Sequence, residues 1–280
     1  GGLSAFLDDF FGTEASRASL IADIDKCIRA SKELERAIRS FSSIGEELSD
    51  DVRDSARACK EAICCYVEQL NTWRALAACE QSVLCEIPSL TVNYQAIETL
   101  ESCVQDLKCS YQFHGHVDAL RRLLEQFREL PSQWDIEKSL DVAFGSRHCV
   151  VIGGQGTGKT CGFAKKAVEY LNAGMHLPVL IRASSIPDDT WFEIIAKTLG
   201  LNDGWDEVTL WQTLTTAASL NDLTSETLSV KAKVAILVDG LDEKVSAFPW
   251  ESMVRCANAI TESYPRIRFA YSTRPSGIEF

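Results

Sequence analysis

From Thr13 to about Phe144, apolar residues return every three or four positions with charges between them, the pattern of helices that bury one stripe. In "ASLIADIDKCIRASKELERAIRSF", Leu20, Ile24, Cys27, Ile28, Leu34, Ala37, Ile38 and Phe41 make such a stripe and predict a first long helix. A second is predicted to start after "GEELSDD", where Ser49 can cap and the acidic first turn suits the helix dipole. It continues through "ARACKEAICCYVEQLNTWRALAACEQSVL" until Pro88 breaks the chain. "SLTVNYQAIETLESCVQDLKCSYQ", "HVDALRRLLEQFREL" and "SQWDIEKSLDVAF" read as three more helices, with Pro131 between the last two. No repeat of fixed period is visible, so a bundle or hairpin array is expected rather than a solenoid.

After Gly145 the period changes. "HCVVIGG", "LPVLIRAS", "KVAILVDG" and "IRFAYSTRP" are short, nearly continuous apolar runs rich in β-branched residues. They alternate with helical stretches: "KTCGFAKKAVEYLNAG", closed by Gly174, then "DDTWFEIIAKTLGL", "WDEVTLWQTLTTAASL" and "WESMVRCANAITESY". Between the second and third of these strands, "NDLTSETLSVKA" reads as a polar loop. Alternation of this kind predicts a parallel sheet covered on both faces.

The candidate chemistry lies at the ends of these strands. Gly153, Gly158, Lys159 and Thr160 satisfy G-x-x-x-x-G-K-[ST] between a strand and a helix, the context a phosphate-binding loop requires. Glycine is needed because such a loop wraps phosphate with its N–H groups inward, at angles and closeness that a side chain obstructs. The nucleotide-binding set is therefore Gly153, Gly154, Gln155, Gly156, Thr157, Gly158, Lys159, Thr160 and Cys161. Lys159 is expected to reach the β- and γ-phosphates, and the Thr160 hydroxyl to ligate Mg²⁺. Asp239 ends an apolar strand, where its carboxylate is expected to hold the same metal. Asp242 and Glu243 follow closely enough to orient or deprotonate an attacking water. A further strand ends in Ser272, Thr273 and Arg274, placing hydroxyls and a cation at the same sheet edge, within reach of a γ-phosphate.

Together, the loop, "AILVDGLDE" with a small residue directly after the aspartate, and the strand ending "STRP" resemble the NACHT branch of the STAND NTPases, signal-transduction relatives of AAA+ proteins. The stretch from Leu177 to Leu214 is similar to prokaryotic antiviral STAND proteins, in which a nucleotide switch lies between an N-terminal effector and a C-terminal sensor. The resemblance covers about residues 132–280. It implies that Lys159 and Thr160 are the Walker A pair, Asp239 the Walker B residue, Asp242 and Glu243 the hydrolytic acidic pair, and Arg274 the sensor 1 arginine. The expected fold class is an all-α region over 1–131, a bundle or linker, followed by an α/β P-loop NTPase domain over 132–280. The family's lid, winged helix and repeat sensor are expected to lie outside this stretch. The implied function is an ATP/ADP switch that controls homo-oligomerisation and effector activation, triggered by a protein ligand such as a phage protein. A metabolic phosphotransferase and a non-hydrolysing adaptor braced by nucleotide stay open as alternatives. The absence of an [NT]-K-x-D motif disfavours a GTPase, and the absence of an LSGGQ-like signature disfavours a transporter ATPase.

Composition narrows the partners. With 28 Lys+Arg against 40 Asp+Glu the formal net charge is −12, and residues 1–140 carry 15 basic against 24 acidic side chains. Such a surface repels nucleic acid, so no direct nucleic-acid binding is expected. The 11 cysteines contain no CxxC unit and lie mostly at apolar helical positions, as in a reducing, cytoplasmic compartment. Cys109, His114 and His116 come closest to a metal cluster, but no second ligand pair follows at finger spacing. No signal peptide is expected, and no apolar run is long enough to span a membrane.

Overall fold

The computed structural model describes residues 2–43, 48–79, 93–105, 107, 114–130, 133–186, 190–224, 226, 228–243 and 249–275. Pro88, Pro131, Cys109 and the predicted continuation of the second helix past Cys79 lie outside the described residues. Contacts divide the chain into two compact units. One takes Gly1–Ala18, Ala78–Glu86 and Asp141–Phe280, the other Ser19–Ala77 and Ile87–Leu140. A single cut at residue 131 does not reproduce this division, because the first 18 residues join the α/β unit.

The helical unit is built from most of α2 (Glu14–Ser42) and α3 (Asp50–Ala78), with α4 (Tyr94–Gln105), α5 (His114–Arg128) and α6 (Gln133–Leu140). Leu20, Ile24, Cys27, Ser31, Leu34, Ile38 and Phe41 of α2 are buried at alternating steps of four and three. Val52, Ala56, Cys59, Ile63, Tyr66, Leu70, Trp73 and Ala77 of α3 repeat that spacing, the seven-residue period that keeps one seam facing a partner helix. The two run antiparallel: only residues 43–49 join them, and Arg74 Nε near the end of α3 donates to Asp25 Oδ1 in the first half of α2 at 2.7 Å. Ser49 caps α3 as predicted: its Oγ accepts the Val52 N–H at 3.4 Å. Across α4 and α5, Arg128 pairs with Glu101 at 2.6 Å.

The α/β unit is centred on a four-stranded parallel sheet in the order β1 (His148–Ile152), β6 (Ile267–Thr273), β5 (Val234–Asp239), β2 (Leu177–Arg182). Every residue of β5 and β6 is buried, which is why both read as unbroken apolar runs. One face carries α8 (Trp191–Thr198), α9 (Glu207–Ser219) and α10 (Trp250–Ser263), whose Trp191, Trp211 and Trp250 pack on Ile236, Val238 and Phe269. On the opposite face, α7 (Lys159–Ala173) and α1 (Gly2–Phe11) pack Phe163, Tyr170, Leu7, Phe10 and Phe11 on Ala235, Leu237 and Ala270. As expected, α7 stops at Gly174, whose φ of +59° and backbone N–H to Leu171 and Tyr170 carbonyls close it.

Two features depart from the sequence reading. The predicted polar loop contains a short antiparallel ribbon, β3 (Leu223–Thr224) with β4 (Ser229–Val230); two residues per strand are too few for a period to show. The helix α1 was not among those predicted, although Leu3, Phe6, Leu7, Phe10 and Phe11 fall on one face. Ten residues are marginal as an isolated helix, and tertiary contacts hold this one. Among the described residues no helix is long and apolar enough to cross a membrane.

Candidate functional site

Because the four strands are parallel, their C-terminal ends share one sheet edge. Ile152 lies opposite Thr273, and Arg182 opposite Asp239. The loop after β1, the end of β5 and the end of β6 therefore emerge together, with β6 between the other two.

The loop from Gly153 to Gly158 starts at β6, where the Gly153 N–H donates to the Thr273 carbonyl at 3.2 Å. Gly156 and Gly158 have φ of +76° and +80°, the left-handed region that a Cβ disfavours. Gly153 is required for space: a Cβ there would lie 2.9 Å from Thr157 Oγ1 and 3.7 Å from Lys159 Nζ. Gly158 caps α7 without a side-chain bond, so no cap side chain competes for the first-turn N–H groups. Lys159 Nζ folds back over the loop. It donates to the Gly153 carbonyl and, at 3.0 Å, to that of Gly154. Thr157 Oγ1 also donates to the Gly154 carbonyl, at 2.9 Å. Thr160 and Cys161 follow on the first turn of α7, and their side chains, like that of Gln155, are exposed.

Across β6 the groups are held more firmly. Asp239 is 5% exposed; its Oδ1 accepts the Ser272 hydroxyl at 2.5 Å, and Ser272 Oγ accepts the Gly240 N–H at 2.9 Å. Asp242 is tied to the end of β6. Its Oδ1 accepts the Arg274 N–H at 2.9 Å and the Thr273 hydroxyl at 3.4 Å, and its Oδ2 pairs with Arg274 Nε at 3.0 Å. Of the two acidic candidates, Glu243 is thus the exposed one. It sits on the short 3₁₀ turn Leu241–Glu243, with its side chain against Gly240.

Such a donor set suits a polyphosphate carrying Mg²⁺: a helix N-terminus with no side-chain cap, a lysine resting on neutral carbonyls, the Thr160 hydroxyl and a buried carboxylate. Among the described residues no three His, Cys, Asp or Glu side chains gather as a self-sufficient metal site. A Mg²⁺ here would need phosphate oxygens and water for the rest of its shell. Sequence reasoning noted Gly240 only as the small residue after the aspartate; its φ of +76° is a reason for glycine that the motif did not supply. It could not pair Asp242 with Arg274, since 32 residues separate them. Comparison with protein-family models, with curated proteins and with solved structures found no match for the chain.

Proposed function

We propose that this chain is the nucleotide-binding part of a NACHT-type STAND switch, an ATPase whose ATP-bound and ADP-bound states differ in their readiness to assemble. One observation carries the reading: the Lys159 loop and buried Asp239 flank a single strand that ends in Ser272 and Thr273, with Arg274 directly after it. Phosphate oxygens are stronger acceptors for Lys159 Nζ than the neutral carbonyls of Gly153 and Gly154, so the lysine leaves the loop when a nucleotide enters. Thr160 and Asp239 would hold the metal. Bound Mg–ATP supplies a phosphoanhydride and a divalent charge. Glu243, exposed on its turn, positions a water and takes its proton.

The pair Asp242–Arg274 gives the switch its two positions. The Arg274 guanidinium pairs with Asp242 at 3.0 Å, and a γ-phosphate at this edge would offer the same cation a second anionic partner. A ligand shifts such an equilibrium only by its difference in affinity for the two arrangements, so slow turnover is enough. In this reading the protein is cytoplasmic, it forms homo-oligomers, and a protein trigger, such as a phage protein, acts through a sensor outside this stretch.

The test is to denature the purified protein, identify any released nucleotide, and titrate ATP and ADP with Mg²⁺ against wild type and Lys159→Ala. Binding that the substitution abolishes, with slow turnover, supports the switch. Fast turnover that requires a small-molecule acceptor turns the assignment to a phosphotransferase. Absence of binding removes the switch altogether.

A further inference from the structure

Helix α1 lies along α7, the helix that begins at the phosphate loop, and meets one stripe of it. Gly162, Lys166 and Tyr170 recur every four residues along α7 and so share a face. Each touches α1. Leu3 packs so closely on Gly162 that a Cβ there would lie 2.5 Å from Leu3 Cδ2. Lys166 Nζ donates to both oxygens of Asp8, at 3.1 and 3.0 Å, and Tyr170 Oη donates to the Leu7 carbonyl at 3.1 Å. Early residues of α1 meet the start of α7 and later ones its middle, so the two helices run side by side in one direction for about two turns.

The first of these contacts reaches the loop. The Gly162 N–H donates to the Gly158 carbonyl at 2.7 Å, and Gly158 is the loop residue held at a φ of +80° directly before Lys159. Leu3 is therefore one residue and one hydrogen bond away from the backbone of the loop. None of the first four residues of α7, Lys159–Gly162, is itself buried, so the packing that steadies this turn comes from α1. At its other end α1 is tied to the sheet, where Arg268 of β6 donates to the Phe10 carbonyl. The same strand ends beside the loop, with the Thr273 carbonyl accepting the Gly153 N–H at 3.2 Å.

We propose that α1 is a splint for the phosphate loop: its docking on α7 and the binding of a polyphosphate at the Lys159 loop favour each other, with Leu3 and Asp8 as positioning residues. The proposal rests on the nucleotide-binding reading above. A phosphate cradle binds well when its backbone donors are already in place, because every segment ordered on binding subtracts from affinity. By linkage, a docked helix that strengthens binding is itself held more firmly, by the same factor, once the ligand is bound. A helix that contributes stability alone leaves the affinity of the folded protein unchanged.

The experiment measures equilibrium binding of Mg–ATP to wild type, Lys159→Ala, Asp8→Ala, Gly162→Ala and the double variant Gly162→Ala with Leu3→Ala, under conditions where urea unfolding shows each to be folded. Asp8→Ala, remote from the loop, is expected to weaken binding about fivefold. Gly162→Ala drives Leu3 off the first turn and is expected to weaken it at least as much. Adding Leu3→Ala removes the clashing carbon and lets the new methyl take its place, so the double variant is expected to bind at least about twofold more tightly than Gly162→Ala alone. In the wild type, saturating Mg–ATP is expected to slow amide exchange in α1 about fivefold. Unchanged affinity in Asp8→Ala or Gly162→Ala, no recovery in the double variant, or exchange in α1 indifferent to Mg–ATP overturns the proposal; weakening by Lys159→Ala then leaves the nucleotide reading standing. Failure of the wild type to bind Mg–ATP removes that reading and this proposal together.

Discussion

Gly240 and Gly174 show how differently one backbone angle can matter. Both are left-handed, with φ of +76° and +59°; a Cβ on Gly174 meets nothing within 4 Å, whereas one on Gly240 would lie 2.9 Å from Glu243 Cδ. Alanine at either position is expected to cost about 1–2 kcal/mol of stability by urea unfolding, but only Gly240→Ala is expected to lower ATP turnover as well, by displacing Glu243. Equal turnover in the two variants would contradict the role given to Glu243. Two histidines set a separate pH dependence. Burial, with the charge of Arg147 adding, lowers the pKa of His148 to about 4. Burial, followed by the charges of Lys233, Arg268, Arg17 and Lys166, lowers that of His176 to about 3. Both are neutral in the fold and take up a proton on unfolding, so their contribution is whole above pH about 6.5 and is lost as the pH falls from there toward 4. Each adds a slope of at most about 1.4 kcal/mol per pH unit over that range. The urea midpoint of wild type should therefore fall more between pH 7 and pH 5 than that of His148→Gln; equal falls would exclude this source.

Among the elements, α1 depends most on its anchors. Burial by itself would lower the pKa of Lys166, but its bonds to Glu169 and Asp8 outweigh that and hold the ammonium above its ordinary value. Arg268 also donates to the Phe10 carbonyl at the end of the helix and to that of Ala143 at 2.8 Å. Asp8→Ala leaves Lys166, which is 4% exposed, with one carboxylate. The expected cost is roughly 1–3 kcal/mol, with faster hydrogen exchange confined to α1; exchange unchanged there would show that apolar packing alone holds the helix. The elements that the sequence made legible are those whose periods run long enough to be read. They include α2 and α3 with their unbroken stripes, α7 between its two glycines, and β5 and β6, which are buried on both faces. The Gly153–Thr160 loop stood out in the sequence as a candidate phosphate loop because its pattern is local: glycines, lysine and threonine all lie within eight residues. The bond between Ser272 and Asp239, the pair Asp242–Arg274 and the seat of α1 join distant parts of the chain, and no local pattern encodes such contacts.

At the scale of the molecule, two units with separate cores share one chain, and only the α/β unit carries the candidate site. Ligand binding to the folded state therefore stabilises that unit, by about 2.7 kcal/mol when the ligand is at 100 times its dissociation constant. The acidic surface, with a net charge of −12, works against anionic ligands at long range. In the proposed reading, affinity for a triphosphate comes from the local donors of the loop, and modest salt should change it little compared with loss of Lys159. The most direct test of the account is a calorimetric titration of Mg–ATP into the purified chain and into Lys159→Ala. Saturable binding by the wild type, weakened tenfold or more in the variant, is the predicted result. No heat of binding in the wild type, or the same affinity in both proteins, would contradict the account at its centre.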